Sequence, residues 1–414
     1  MFNIKKNKSD IALFVLFSIL PISILIGNLF INLTILIISL VFLYKLLKKE
    51  FNILHYVESS NFFRLLLFFF LSLCINLIFS NDIYLSYPRV FKIFFIIFFV
   101  LAFKFLIINY FEALEKIYKF WSILFLIVII DLIFEFFVGN NVFGQSSIMQ
   151  GRLGSFTGEE SVIGNYFFGF CLITLSFIYN KSHNIFLNLF LAIFLIIISF
   201  LIGERANFIR TFLAIILFMF FVYKVSYRIK FFSIILSFIL VYLVFLNINS
   251  DYKMRYYKQI KFIFAQNGLT KYLENSQYGS HRNVAKEIFL DNPLFGVGIK
   301  NFRVESANKK YDNLDHNKNH LRVSNHPHEL YYEFLSETGL FGLVSFLIFI
   351  LSSIILSIKN YFKEKNIYQF SAIIFVTLSI LPIIPTGSFL STYTSSIFWI
   401  NFAIMTGYYN TRKN

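Results

Sequence analysis

The sequence predicts an all-α polytopic membrane protein of about twelve transmembrane helices, with one mainly helical domain outside the bilayer. Three observations lead there. Of 414 residues, 57% are hydrophobic and only 14% charged, whereas a soluble domain carries about 25% charged residues. The apolar residues fall into runs able to cross roughly 30 Å of hydrocarbon, which takes about 20 residues of helix. Lys and Arg gather in alternate short connections, the pattern that sets orientation in a membrane.

In chain order the expected spans lie at 11–27, 29–46, 61–80, 89–109, 117–138, 161–180, 184–202, 206–223, 230–247, 339–358, 367–386 and 390–409. Only a Gly27-Asn28 turn separates the first two runs and no small-residue cleavage site follows, so no cleavable signal is expected. An N-terminus placed in the cytoplasm (Lys5, Lys6, Lys8) puts every second loop on the same side. Lys45, Lys48 and Lys49 then lie inside, with Lys116, Lys119, Lys181, Lys224, Arg228, Lys230, Lys359, Lys363, Lys365, Arg412 and Lys413. The short outward loops hold no lysine, though they carry Arg152 and Arg205, and Arg89 opens the fourth span. Net charge is +15, but its distribution among short loops argues for membrane lipids as the partner and against nucleic acid. Cys74 and Cys171 both sit in apolar runs, which excludes a disulfide framework and a thiolate metal site.

The chain divides into residues 1–247 with nine spans, 248–338 as an outer domain, and 339–414 with three spans. The outer segment is nearly balanced, with thirteen Lys/Arg against ten Asp/Glu, and it holds five of the seven histidines. Loops of this length without a role are uncommon.

Four outer features carry candidate chemistry. Gly151-Arg152-Leu153-Gly154-Ser155-Phe156-Thr157-Gly158-Glu159-Glu160 offers close backbone approach beside charge, and spacing leaves open whether it binds a ligand or only bends. Gly203-Glu204-Arg205-Ala206-Asn207 places a guanidinium at a span mouth, with Arg210 roughly 140° around the helix, so the two arginines do not grip one group. A guanidinium suits phosphate oxygens; a salt bridge to Glu204, Asp131 or Glu135 is the structural alternative. His281-Arg282 precedes Asp291-Asn292-Pro293-Leu294-Phe295-Gly296-Val297-Gly298, a Pro-started turn without the strand–helix context of a dinucleotide site. Finally, His326-Pro327-His328-Glu329 leads through Glu333 to Glu337-Thr338-Gly339-Leu340-Phe341-Gly342, the densest ionisable cluster, at the level where lipid meets water. A neutral imidazole there can take a proton from a sugar hydroxyl. A His-x-His pair also suits a metal, but spacing fixes no third ligand; His320 and Asp315 are the loosest of candidates.

These pieces, in this order, resemble the O-antigen ligase and O-antigen polymerase superfamily of bacterial envelope glycosyltransferases, across essentially the whole chain. The resemblance implies a GT-C-like layout in the inner membrane, with both termini cytoplasmic and a periplasmic active site. It implies transfer of a glycan from an undecaprenyl-diphosphate carrier to lipid A-core (ligase) or to another carrier-linked glycan (polymerase), inverting and without metal or other cofactor. By the family's motifs, His328 is the catalytic base, and Arg205 and Arg282 are the catalytic arginines. Arg152, Arg210, Arg89, His326, Glu329 and Glu337 are the further candidates for substrate contact. Glu329 departs from the family, which has Asn after the histidine, and is expected to orient His328 or raise its basicity. The competing class is a twelve-span transporter or flippase. Against it, the chain lacks visible internal duplication and concentrates polar groups at one edge rather than at midplane.

Overall fold

The computed structural model describes residues 8–48, 61–160, 162–265 and 268–409. Lys5, Lys6, Lys49, Arg412 and Lys413, on which orientation partly rests, lie outside the described residues, as do the side chains of Glu159 and Glu160. All regular structure among the described residues is helical. In chain order the helices are α1 (Lys8–Ser18), α2 (Leu20–Ile26), α3 (Asn28–Leu47), α4 (Asn61–Ile78), α5 (Ile83–Asn109) and α6 (Phe111–Val138). There follow α7 (Ile163–Lys181), α8 (Ile185–Leu201), α9 (Arg205–Val222) and α10 (Tyr227–Asn247). Residues 248–329 contribute α11 (Ser250–Ala265), α12 (Leu269–Glu274), α13 (Gln277–Asp291) and α14 (Phe302–Glu305). The chain closes with α15 (Leu330–Glu364), α16 (Ile367–Ser379) and α17 (Thr392–Gly407).

Eight of these helices (α3 to α7, α9, α10 and α15) are long and apolar enough to cross a membrane. The expected span 11–27 is instead the pair α1–α2, bent by 50° and countable as a ninth. Pro21 in the first turn of α2 explains the break, since proline has no N–H to continue the helix behind it. The other three expected spans coincide with shorter helices: α8 of 17 residues, α16 of 13 and α17 of 16. The span expected at 367–386 is corrected most: the helix stops at Ser379, and Pro382, Pro385 and Gly387 carry residues 380–391 through an irregular path. Lys45, expected at the cytoplasmic end of the span 29–46, is buried and paired with Asp10 at 2.6 Å.

Short connections make successive helix ends alternate between two faces. Nearly every residue of α17 is buried, so this helix runs through the centre of the bundle. A small separate core, Val284, Ala285, Ile288, Val297, Phe302 and Tyr311, seats α13 against the turn that follows it.

Candidate active site

Helix α15 positions the site. It is one helix by hydrogen bonding but turns sharply at Gly339, where φ is 65° and ψ −166°, a conformation essentially confined to glycine. A kink frees the N–H groups just after it and the carbonyls just before it. The turn after α13 takes up all four: Leu340 and Phe341 donate to the carbonyls of Pro293 and Leu294 at 2.9 and 3.1 Å. In return Val297 and Gly298 donate to the carbonyls of Ser336 and Glu337 at 3.0 and 2.9 Å. The Asn-Pro turn and the Glu-Thr-Gly segment are therefore the two sides of one backbone seam. Side chains have no room there: a Cβ on Gly339 would meet Leu294 backbone at 2.4 Å, and one on Gly296 would meet Glu337 backbone at 2.5 Å. Gly339→Ala is expected to destabilise the fold by about 3 kcal/mol or more, from backbone strain plus overpacking, read as loss of monodisperse protein or a lowered Tm in detergent. A wild-type Tm in that variant contradicts the seam.

Above the seam three imidazoles converge. The ring of His328 lies 4.0 Å from that of His326 and 5.2 Å from that of His281, centroid to centroid, and 5.3 Å from the ring of Tyr278. His281 and Tyr278 come from one face of α13, three residues apart. His328 takes a left-handed backbone conformation, φ 60°, and its carbonyl accepts from Thr386 N–H at 3.0 Å. The His326 Nε2 faces the Thr386 carbonyl at 3.4 Å, and the His281 Nε2 faces that of Leu321 at 3.0 Å. Burial, then its two histidine neighbours, pushes His328 down to about 3; burial and Lys300 push His326 down to about 4. Both rings are neutral at neutral pH.

Beside Tyr278 lies a crowd of arginines. Arg205 donates from Nη1 to the Arg255 carbonyl at 3.1 Å, and Arg255 donates to the Gln150 carbonyl at 3.2 Å. Arg152 approaches Glu204 only to 4.0 Å. Burial, then Arg152 and Arg205, lowers the pKa of the Arg255 guanidinium, and Tyr278 is within electrostatic range of it. Arg152, Arg205 and Arg255 thus bring three guanidiniums together near the Glu204 carboxylate, a candidate anion site. Local packing builds it: Leu153 N–H bonds the Ile202 carbonyl at 3.1 Å. Gly203, at φ 76°, lets Gly151 backbone approach to where a Cβ would stand 2.1 Å from its oxygen. Asp131 and Glu135 serve the same loop, accepting from Ser155 Oγ at 2.6 Å and from Gly154 N at 2.9 Å. They are loop supports rather than the salt-bridge partners weighed for Arg205.

The other expected site residues have contacts of their own. Arg282 lies over the Tyr332 ring, 4.9 Å from its centroid. Arg210 points away from Arg205, as its place on the helix predicts, and donates to the carbonyls of Ile384 and Pro385 at 3.1 and 3.0 Å. It thereby anchors the irregular segment that holds His326 and His328. Glu329 uses its carboxylate to cap α15, accepting from Tyr332 N at 2.9 Å, so the expected support of His328 is not its role. Glu337 is fully buried beneath the seam. Arg89 reaches Thr392 Oγ1 at 3.4 Å. His316 is structural, bonded through Nε2 to the Leu273 carbonyl at 3.0 Å, and His320 is exposed. Arg255 sits in a polar helix without any motif around it, and Tyr278, three residues before His281-Arg282, joins the site only through the packing of α13.

Fold and site together define a polytopic helical membrane protein with imidazoles and guanidiniums gathered at one face. Residues 190–347, which include Arg205, Arg282 and His328, match the family described as O-antigen ligase. That match supports the O-antigen ligase and polymerase superfamily, the one the motifs resemble. Among curated proteins nothing matches the chain.

Proposed function

We propose that the protein transfers a glycan from an undecaprenyl-diphosphate carrier to an acceptor sugar at the periplasmic face of the bacterial inner membrane, as a ligase acting on lipid A-core. One observation carries the reading: Tyr278 packs on His328 while lying within electrostatic range of Arg255, whose carbonyl holds Arg205. A proton acceptor and an anion site thus share one pocket wall. The acceptor oxygen attacks the anomeric carbon and gives its proton to His328, while the carbon–oxygen bond to the diphosphate breaks. The leaving group departs with its electron pair, and Arg205, Arg152 and Arg255 stabilise the charge by preorganised electrostatics. Direct displacement inverts the anomeric centre. Arg282, stacked on Tyr332, positions α13 against α15. Because arginines supply the electrophilic assistance, activity is expected to survive exhaustive chelation; loss on chelation, restored by a divalent ion, contradicts it.

The depressed histidines set the pH dependence. A base whose pKa lies near 3 to 4 instead of 6.5 stays neutral, and competent, to lower pH. The profile of kcat/KM is therefore expected to stay flat from pH 8 to about 5, without an inflection near 6.5. A fall centred between 6 and 7 refutes a depressed free-enzyme base. The glycan profile of a deletion strain tests the function itself. Carrier-linked polymer beside bare lipid A-core is the expected result; core capped with a single repeat indicates polymerase, and an unchanged profile refutes both.

A further inference from the structure

We propose a second anion site on the other side of the imidazoles from Arg205, formed by Arg89, Lys92, Lys300 and Arg303, that receives a phosphate group carried by the acceptor. The acceptor assignment rests on the transferase reading above; the anion site does not.

Arg89 and Lys92 are one turn apart on α5 and share a face. The segment Ile299–Asn301 is tied to the start of the same helix. Ser86 Oγ donates to the Ile299 carbonyl at 2.7 Å, Asn301 Nδ2 donates to Ser86 Oγ at 3.0 Å, and Asp82 N donates to Asn301 Oδ1 at 3.1 Å. That knot holds Lys300 and Arg303 beside the start of α5, where Arg89 lies within electrostatic range of Arg303 and Lys92 within range of Arg89 and Lys300. Lys300, 4% exposed, donates to Ser388 Oγ at 2.8 Å, and Ser388 in turn donates to Glu333. Lys92 is different. Its Nζ is enclosed yet has no hydrogen-bond partner among the described residues. A buried ionic donor is costly unless something pairs with it.

Four basic side chains here face two buried carboxylates, Glu333 and Glu337, and the excess positive charge suits an anion. The cluster adjoins the catalytic imidazoles, for Lys300 and Arg303 lie within electrostatic range of His326. The Arg205 side adjoins them through Tyr278. One donor diphosphate cannot occupy both flanks of a histidine pair, so the second anion arrives with the other substrate. Its chemistry is a phosphoryl group close to the acceptor hydroxyl, borne either by a second carrier-linked glycan or by a phosphorylated sugar of a glycolipid core.

The test is titration of the full chain in detergent with farnesyl diphosphate. Wild type is expected to bind two equivalents. The double variant Lys92→Met/Arg303→Gln should weaken one site about tenfold or more, from loss of charged hydrogen bonds, and Arg205→Gln/Arg255→Gln the other. Persistence of one site in each variant reports an intact fold; Arg303→Gln alone, at an exposed side chain, repeats the test without touching the interior. A single site in wild type, or two unweakened sites in the Lys92/Arg303 variants, overturns the proposal. Initial rates with a carrier-linked repeat and with a phosphorylated core glycolipid then assign the source, as the acceptor whose KM rises about tenfold in the Arg303 variant. A rise in donor KM alone overturns the acceptor assignment. If wild type binds two equivalents but transfers to neither acceptor, the transferase reading fails and the anion site stands.

Discussion

His328→Ala is expected to abolish glycan transfer while the protein still inserts and folds. A positioned general base contributes about 10² to 10⁴ in rate, and no other group among the described residues stands ready to replace it. His326 and His281 each turn Nε2 toward a backbone carbonyl, that of Thr386 and that of Leu321, which engages the nitrogen a base would use. The structural cost of the change is small by comparison, because His328 is half-buried and its ring touches other rings at the rim of the bundle. The decisive measurement is the glycan ladder of a strain carrying the variant, with membrane abundance and monodispersity measured alongside. Normal ladders from a normally abundant variant remove His328 from the chemistry.

Arg205→Ala is expected to lower kcat about 10²- to 10³-fold, the usual cost of removing one preorganised group aimed at developing negative charge. Arg205→Lys should recover little of it, since an ammonium lacks the planar fork that grips two phosphate oxygens. The bond from Arg205 to the Arg255 carbonyl is a single half-exposed contact. Its loss costs stability only about 1 kcal/mol, so Tm should barely move. A merely structural arginine behaves the other way, with a lowered Tm, near-normal kcat and rescue by lysine.

Much of the fold was legible because a bilayer imposes a simple demand: each apolar run long enough to cross it became a helix. Legibility failed where hydrophobicity and hydrogen bonding part company. Residues 380–386 are apolar and read as the end of a span, yet Pro382 and Pro385 cannot continue the helix, and the carbonyls of Ile384, Pro385 and Thr386 face Arg210 and His326 instead. Lys45 read as a cation at the cytoplasmic end of its span because its partner, Asp10, is remote in sequence. In the site, His326, His328 and Arg205 stood out by residue type and place. Tyr278 and Arg255 did not, for they join the site through the packing of α13 and α11, which no local pattern encodes. Glu329 looked like a helper of its neighbour, but a carboxylate just before a helix is worth more at the exposed N–H groups.

The exchange of main-chain bonds across Gly339 has a bearing on how such a protein could diversify. Four peptide groups, not four side chains, register the start of α15, and with it the proposed base His328, against the turn after α13. The residues lining the wall above are thereby released from structural duty, save for the places where nothing larger than hydrogen fits. Under the proposed transfer reaction, new sugars can be accommodated by altering that lining while His328 keeps its place.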